Sequence, residues 1–374
     1  MPIYMSSQPD SMYHSRAHFR DTHIEMQKLD AGGFGIVYLA VKKNTDPLQN
    51  STIQSTAPTP DSVVVVKYCI PNRYERHDAT PASSLRTEIR IMKQLNGSHA
   101  HHGILSLVDS HVDGQTQWLT TPYLAGGSLC KFIESHPNAI RIPFIWHVVY
   151  SITESLLYMY FGIKSEDLAG VKEADKSWEP ISHNYLHTGN VFLRPASDQH
   201  QHQFSNFPRL VIADFGESRS FKPGDSTFCY LAAEEFCRLG TDVVMELRNA
   251  IPVAPSHELT EKLDEWIKVF DGHIRQGYGK LMDAKPLLKL MLEYLAVAAA
   301  QRQINTQPMP IEVETDVAEM PSLEPAGAVE VNYWTAQAAK REAHAKRPPP
   351  GLGFEQAPPE GSYVLPGLGL EAPK

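Results

Sequence analysis

The chain has 374 residues, of which 42% are hydrophobic, so it can form one large domain or two smaller ones around an apolar core. Its formal net charge of -9 argues against a nucleic-acid-binding surface. The cysteines form no C-x-x-C pair, so their spacing indicates neither a zinc site nor a disulfide framework. The N-terminal residues lack the apolar core of a signal peptide, and the most apolar run, 287–300, is too short and too charged to cross a membrane. We therefore expect an intracellular protein, in the cytoplasm or nucleus, that binds neither nucleic acid nor membranes.

The first third of the chain is predicted to be rich in strands. The ranges 24–41 and 62–70 are apolar and β-branched and are bounded by loop residues. A helix is expected over 80–97, where an apolar stripe has helical spacing and Asn-Gly suits the end of the helix. Two further strands are expected around 104–112 and 116–122.

The rest of the ordered chain is predicted to be helical, and strands followed by helices favour a bilobal α+β fold. Two apolar stripes have helical spacing, one with Ile145, Val148, Ile152, Leu156 and Met159 and the other with Leu259, Leu263, Trp266, Ile267 and Phe270. From about residue 301 the composition is rich in Pro, Ala and Glu, as is typical of a disordered tail. The expected organisation is an N-terminal extension at 1–23, a strand-rich lobe at 24–124, a helical lobe at 125–300 and a disordered tail at 301–374.

The predicted tail contains a near-repeat, PGLGFE at 350–355 and PGLGLE at 366–371. Two copies of one apolar motif could dock bivalently on a protein partner. The composition of the tail favours the simpler interpretation, in which the repeat arises from low complexity.

A glycine-rich stretch, L-D-A-G-G-F-G-I-V-Y at 29–38, lies within the first predicted hairpin. Glycines let a backbone approach phosphate oxygens because no Cβ stands in the way. Glycines are also ordinary hairpin residues, so this stretch alone is a weak signal.

Four polar residues lie at positions that suit a phosphate and metal site. Lys67 ends the apolar run V-V-V-V-K, and a buried ammonium group needs a partner, for which Glu88 on the next helix is the natural candidate. Alternatively, Lys67 lies on an edge strand and extends to water. Asp214, in I-A-D-F-G, offers a carboxylate to a magnesium ion that bridges phosphates, and Asn190 offers an amide oxygen to a second ion.

In this order and spacing, the motifs resemble the eukaryotic protein kinase fold over residues 24–270, which implies binding of ATP and Mg²⁺. The segment T-P-Y-L at 121–124 is similar to the kinase hinge, with Thr121 as gatekeeper. Pro122 lacks an N–H but can offer its carbonyl to the adenine amino group. The nucleotide contacts that the resemblance implies are Leu29, Gly32, Gly33, Gly35, Val37, Val65, Lys67, Thr121, Pro122 and Leu124.

The segment H-N-Y-L-H-T-G-N-V at 183–191, called the catalytic loop below, is similar to the loops of protein kinases and of aminoglycoside and choline phosphotransferases. Tyr185 replaces the aspartate that accepts the hydroxyl proton. A phenol is protonated at neutral pH, and losing a positioned base typically costs about two to four orders of magnitude in rate. His187 stands where protein kinases have a lysine, and it can donate a hydrogen bond to phosphate. With Lys67 and Glu88, these two residues form the candidate catalytic set.

Other features also depart from the kinase pattern. Asp30 stands where the first loop glycine is usual, and a carboxylate there is unfavourable near phosphates unless it faces solvent. The segment after Asp-Phe-Gly is short, and Asp242 is matched to the aspartate that opens the next large helix. The histidines in and around the turn His101-His102-Gly103-Ile104 suggest a metal site, which we reject because no carboxylate or thiol is spaced to complete it.

Three functions remain open from the sequence. We favour a pseudokinase that binds Mg-ATP, with weak or no phosphoryl transfer because Tyr185 replaces the base. The first alternative is an active atypical Ser/Thr protein kinase or small-molecule kinase, supported by the surviving phosphate-binding groups. The second alternative is a docking module that binds no nucleotide, for which Asp30 is the best support.

Overall fold

The structure is a computed structural model, and all the residues that it describes lie within one unit, Met1–Met320. The described residues are 10–31, 35–43, 63–68, 81–97, 100–113, 116–136, 140–168, 170–171, 173–194, 207–251, 257–275 and 283–302. The predicted tail beyond residue 302, with its PGLG repeats, lies outside the described residues, as do Gly32 and Gly33.

The N-terminal lobe is built on a five-stranded antiparallel sheet with the strand order β1-β2-β3-β5-β4. Its elements are α1 (Asp10–Thr22), β1 (His23–Ala31), β2 (Ile36–Lys42), β3 (Val63–Tyr68), α2 (Pro81–Leu95), β4 (Asp109–Asp113) and β5 (Thr116–Pro122). The predicted strand-rich lobe and the predicted helix near 80–97 are confirmed. The strand expected from 104 begins only at Asp109, because Ile104 makes just an isolated bridge to Ile212.

Helix α1, which the sequence did not reveal, covers one face of this sheet. Phe19 is 0% exposed and packs edge-on against Trp118 of β5. Trp118 belongs to the core under α1, whereas the next residue, Leu119, belongs to the core that includes α2. Because successive strand residues point to opposite faces, α1 and α2 cover the two sides of the sheet. An ion pair between Arg16 and Glu25, at 2.6 Å, fastens α1 to β1.

The C-terminal lobe is mainly helical, as predicted. Its helices are α3 (Leu129–Ser135), α4 (Ile142–Phe161), α5 (Ser226–Arg238), a π-helix (Leu239–Val244), α6 (Met245–Asn249), α7 (His257–Arg275) and α8 (Ala284–Arg302). Its short strands are β6 (Ile181–Ser182), paired with β9 (Arg219–Ser220), and β7 (Val191–Arg194), paired with β8 (Arg209–Ile212). Single 3-10 turns occur at Ser165–Asp167, Thr188–Asn190 and Phe215–Glu217. The two predicted amphipathic stripes fall in α4 and α7, so the bilobal α+β fold is confirmed.

Helix α4 is the centre of this lobe and is buried nearly all round, as a helix with apolar residues on every side must be. Pro143 lies in its first turn and Gly162 ends it in the left-handed conformation, with φ 70°. The ring of Trp178 packs over Gly162, where a Cβ would lie 2.9 Å from the ring. None of the helices in the described ranges combines the length and apolar content that a membrane span requires.

Candidate functional site

Three charged side chains from three different elements meet where the sheet faces the helical lobe. Lys67 of β3 forms ion pairs with Glu88 of α2, at 2.8 Å, and with Asp214, which follows β8, at 2.5 Å. The side chains of Lys67 and Glu88 are 12% and 4% exposed, whereas that of Asp214 is 33% exposed. The structure therefore brings Lys67 and Glu88 together, and Lys67 does not extend to water from an edge strand.

These contacts fix the charges of the site. Burial would lower the pKa of Lys67, but the charges of Glu88 and Asp214 outweigh burial and raise the pKa overall. Burial likewise opposes the charged form of Asp214, yet Lys67 holds the pKa of this carboxyl below its usual range. At neutral pH a partly exposed carboxylate therefore lies beside a fixed ammonium group.

The β7–β8 pair brings Asn190 next to Asp214. Val191 lies opposite Ile212 in this pair, and the Ala213 N–H donates to the carbonyl of Asn190 at 2.9 Å. Asp214 has φ 63° and ψ 72°, in the left-handed region that residues other than glycine seldom adopt. Such a backbone persists only where its surroundings hold it, and here the strand pair and the ion pair to β3 do so.

The oxygen atoms of Asn190 and Asp214 suit a magnesium ion. Asn190 Nδ2 donates to the carbonyl of Tyr185 at 2.9 Å, so the amide oxygen is the atom left to face a cation. An amide oxygen and a carboxylate oxygen are hard ligands of the kind that Mg²⁺ prefers. The residues present therefore fit the ion that the kinase resemblance implies.

The glycine-rich turn falls only partly within the described residues, since Gly32 and Gly33 lie outside them. Gly35 is buried, and a Cβ there would collide with the backbone carbonyl of Tyr68 on β3. This glycine is thus explained by the close approach of two strands rather than by phosphate. Asp30 is exposed, and its Oδ1 accepts the N–H of the next residue at 2.7 Å, so its carboxylate is turned to its own backbone and to solvent.

The residues implied to contact the nucleotide lie on neighbouring strands and at the hinge. The strand register places Lys67 opposite Val37 on one side, and Thr121 opposite Val65 on the other. Half-buried members of this group are Leu29, Val37, Val65 and Pro122, and buried members are Thr121 and Leu124. The half-buried aliphatic side chains form a surface on which a flat apolar ring could pack.

Tyr185 and His187 form an edge-to-face ring pair with centroids 4.6 Å apart. Tyr185 is 52% exposed. His187 Nδ1 accepts the N–H of Gly189 at 3.1 Å, so the neutral ring carries its proton on Nε2. Nε2 is buried and has no hydrogen-bond partner among the described residues. Burial and the nearby His183 lower the pKa of His187, which makes it a neutral donor.

A buried carboxylate that the sequence analysis missed anchors the catalytic loop. Glu235 of α5 is 5% exposed. Its Oε1 accepts the N–H of Asn184 at 2.8 Å, and its Oε2 accepts the N–H of His183 at 3.0 Å. The hydroxyls of Ser182 and Tyr160 also donate to Oε2, at 3.1 and 2.7 Å. Two backbone donors and two hydroxyls therefore satisfy one buried charge, and they hold the start of the loop against α5.

The loop is also tied to the segments on either side. Asn184 is left-handed, with φ 64°, and its Oδ1, 2.8 Å from the hydroxyl of Ser182, shares the single proton of that hydroxyl with Glu235. Asn184 Nδ2 donates to the carbonyl of Glu217, just after Asp-Phe-Gly, at 2.9 Å. Further along, the Thr188 hydroxyl donates to Glu246 of α6 at 2.7 Å. Hydrogen bonds to neighbouring segments of the chain thus hold the catalytic loop in place.

The family model described as protein tyrosine and serine/threonine kinase matches residues 24–161. This match supports a protein kinase-like domain in this part of the chain. The match spans β1 to α4, so the sheet, the Lys67–Glu88 pair and the hinge of the kinase-like domain lie within it. The segment 183–191 and Asp214 lie beyond the match. No curated protein matches the chain.

Asp242 does not have the position in the kinase-like domain that the sequence predicted. The helix that follows Asp-Phe-Gly is α5, and its N-cap is Asp225, whose Oδ1 accepts the Thr227 N–H at 2.8 Å. Asp242 lies in the π-helix and accepts the hydroxyl of Thr241 at 2.9 Å. Asp242 therefore lies 17 residues after the N-cap of that helix, so it does not open it. The carboxylate that accepts the backbone N–H groups of His183 and Asn184, at the start of the catalytic loop, is Glu235.

The expectation that no carboxylate lies near the histidine turn was also wrong. Glu154 of α4 lies beside His101 and His102, and ligand-type atoms of the three residues lie within 4.8 Å of one another. These atoms already have partners: His102 Nε2 contacts Glu154 at 3.2 Å, and His101 accepts the Gly103 N–H and contacts the Ser165 hydroxyl. A cation would have to displace these contacts, so they explain the cluster as a structural one.

Proposed function

We propose that the kinase-like domain binds ATP with Mg²⁺ and transfers the γ-phosphoryl group to added substrates weakly or not at all. The observation that carries this proposal is the double ion pair of Lys67, at 2.8 Å to Glu88 and 2.5 Å to Asp214. This arrangement fixes an ammonium group beside a carboxylate, as phosphate and metal binding in protein kinases require. The positive charge of Lys67 then favours the phosphate oxygens of a nucleotide.

Each part of the nucleotide has a candidate partner in the chain. Lys67 would bind the phosphates, and the side-chain oxygens of Asn190 and Asp214 would hold the metal ion. When bound, Mg²⁺ neutralises negative charge on the phosphate oxygens. The half-buried Val37 would cover the adenine, and the carbonyl of Pro122 would accept its amino group.

Weak transfer is proposed because Tyr185 occupies the position of the base. Its backbone is held in the loop by Asn190, which supports the proposal that a phenol stands where a kinase presents a carboxylate. Among the described residues, no carboxylate accepts a hydrogen bond from the Tyr185 hydroxyl and so takes the place of the missing base. A substrate hydroxyl would therefore lack the group that orients it and accepts its proton.

Thermal unfolding of the full chain with and without ATP and Mg²⁺ tests the proposal. Saturating nucleotide, at about 100 times its dissociation constant, should stabilise the wild type by about 2.7 kcal/mol. Asp214→Asn should lose the magnesium-dependent part of this gain. The control Glu234→Gln, which changes a surface ion pair with Arg238, should keep all of it. If ATP with Mg²⁺ protects none of these proteins, the docking-module hypothesis replaces this one.

The assembled Lys67–Glu88–Asp214 group also supports a second candidate, an active transferase. A transfer assay with labelled ATP separates the two, using the wild type, Tyr185→Asp and Asp214→Ala and added protein and small-molecule acceptors. A pseudokinase should be inactive on added acceptors and gain activity in Tyr185→Asp. If the wild type already labels an added acceptor and Asp214→Ala does not, the chain is an enzyme and Tyr185 does not disable it.

A further inference from the structure

We infer that the hydroxyl of Tyr185 is itself a phosphoryl acceptor, so that the chain phosphorylates its own catalytic loop. This inference rests on the proposed binding of Mg-ATP and assigns the acceptor for that site. It makes Tyr185 a modification site rather than only a missing base.

The first support is the fixed backbone of Tyr185. Its N–H donates to Nδ1 of His183 at 3.3 Å, and its carbonyl accepts Nδ2 of Asn190 at 2.9 Å. Asn190 is one of the two candidate metal ligands. Its backbone carbonyl accepts a hydrogen bond from the N–H of the residue that precedes Asp214. The backbone of Tyr185 is therefore held in part by Asn190, one of the two residues that would hold the metal ion.

The second support is the side chain itself. The side chain of Tyr185 is 52% exposed, so it is not part of the packed core. Its ring lies edge-to-face with His187, at 4.6 Å between centroids. His187 carries the unpaired Nε2–H described above, a donor suited to a phosphate oxygen. The phenol thus lies on the side of the loop that carries the candidate phosphate donor, and it is free to meet a ligand.

The third support is length. A base aspartate at this position would contact the acceptor hydroxyl through a hydrogen bond of about 2.7 Å. A tyrosine side chain extends beyond an aspartate by about the length of such a hydrogen bond. Its oxygen therefore replaces the acceptor oxygen, not the oxygen of the base. The tyrosine side chain alone therefore fills the space that a base aspartate and the hydroxyl of a bound substrate would fill together.

The step balances without any further reagent. The phenol oxygen forms a bond to the γ-phosphorus as the bond from that phosphorus to the β,γ-bridging oxygen breaks. ADP leaves with the electron pair, and the phenol proton is released to water. Phosphoryl transfer of this kind depends mainly on positioning and charge, so a tethered acceptor compensates for the absent base. The product adds a charge of about -1.5 to -2 to the loop, and because the single acceptor hydroxyl is then used up, each chain should undergo one transfer.

The test is mass spectrometry of the full chain after incubation with ATP and Mg²⁺, with thermal stabilisation by nucleotide measured on the same samples. We expect phosphate on Tyr185 that reaches no more than one per chain, at a rate independent of protein concentration. Tyr185→Phe should bind ATP but carry no phosphate, and Tyr230→Phe, which changes an exposed tyrosine of α5, should behave as the wild type. In the Asp214→Asn variant, Tyr185 should carry no phosphate.

Failures of the two proposals give different results. Stabilisation by ATP without phosphate on Tyr185 would overturn this inference and leave nucleotide binding intact. Phosphate on Tyr185 of Asp214→Asn would also overturn it, because another kinase would then be the source. No stabilisation and no phosphate would overturn both proposals.

A second readout needs no turnover. Nitration of Tyr185 in the full chain is compared without ligand and with Mg²⁺ and a non-hydrolysable ATP analogue, with Tyr230 as internal control. We expect Tyr185 to be protected at least about fivefold, because its oxygen would contact the terminal phosphate, and Tyr230 to be unchanged. Equal nitration of Tyr185 in both samples, when the analogue stabilises the chain, would contradict the inference.

Discussion

Substituting Glu235 by glutamine should weaken the fold at the catalytic loop. A glutamine has only one acceptor oxygen. If this oxygen takes the position of Oε2, it still accepts the three hydrogen bonds made there, but the amide nitrogen then faces the N–H of Asn184, which loses its acceptor. An unpaired buried N–H costs about 1–3 kcal/mol, and weaker bonds to a neutral oxygen cost about 1 kcal/mol more. We therefore expect the free energy of unfolding to fall by about 2–4 kcal/mol.

Urea denaturation of the full chain measures this difference against Glu234→Gln. Glu234 is the adjacent residue and pairs with Arg238 on the same helix, at 2.6 Å, so its loss should cost at most about 0.5 kcal/mol. Hydrogen exchange should show a larger loss of protection at His183 and Asn184 in Glu235→Gln than elsewhere in the lobe. Equal stability of the two variants would refute the assignment of Glu235 as the anchor of the loop.

Three further predictions concern the fold around the site. Phe19→Ala should lower the free energy of unfolding by about 3–5 kcal/mol in denaturation, since Phe19 is 0% exposed under α1; a loss below 1 kcal/mol would show that α1 is not part of the folded lobe. Gly35→Ala should lower the thermal midpoint, because its Cβ would meet the carbonyl of Tyr68, and an unchanged midpoint would contradict that close approach. Burial lowers the pKa of His147 to about 4 while its Nε2–H donates to Pro208, so His147 is neutral in the folded chain. The unfolded chain then binds more protons below pH 6.5, and stability should fall by up to about 3 kcal/mol between pH 6.5 and 4. Stability measured against pH should fall less steeply in His147→Phe, and an equal slope would refute this contribution.

Most of the fold could be predicted because its signals are local. The run Val63–Tyr68 is β-branched, and Pro81–Leu95 has helical periodicity with Asn-Gly at its end, so each element declares its own type. Helix α1 was missed because its apolar pattern is sparse, and the burial of Phe19 depends on Trp118, almost a hundred residues later.

The candidate site was predictable where a residue belongs to a short motif. Lys67, Asn190 and Asp214 each lie in such a motif, and the structure brings Lys67 and Asp214 into contact. Glu235 gave no signal of this kind, because its partners are backbone N–H groups that a sequence does not display. The match of Asp242 was wrong because the sequence spacing did not reveal that the helix after Asp-Phe-Gly already begins after Asp225.

The position of α1 has a consequence for synthesis of the chain. The N–H of Gln117 donates to the hydroxyl of Ser15 across 102 residues, so the contact between α1 and β5 cannot form until β5 has left the ribosome. At typical elongation rates of about 5–20 residues per second, α1 waits about 5–20 s for its partner strand. During that interval Phe19 and the apolar side of the first strands are exposed to water. Nascent chains of this length therefore expose apolar surface that the folded lobe buries, and such surface promotes aggregation.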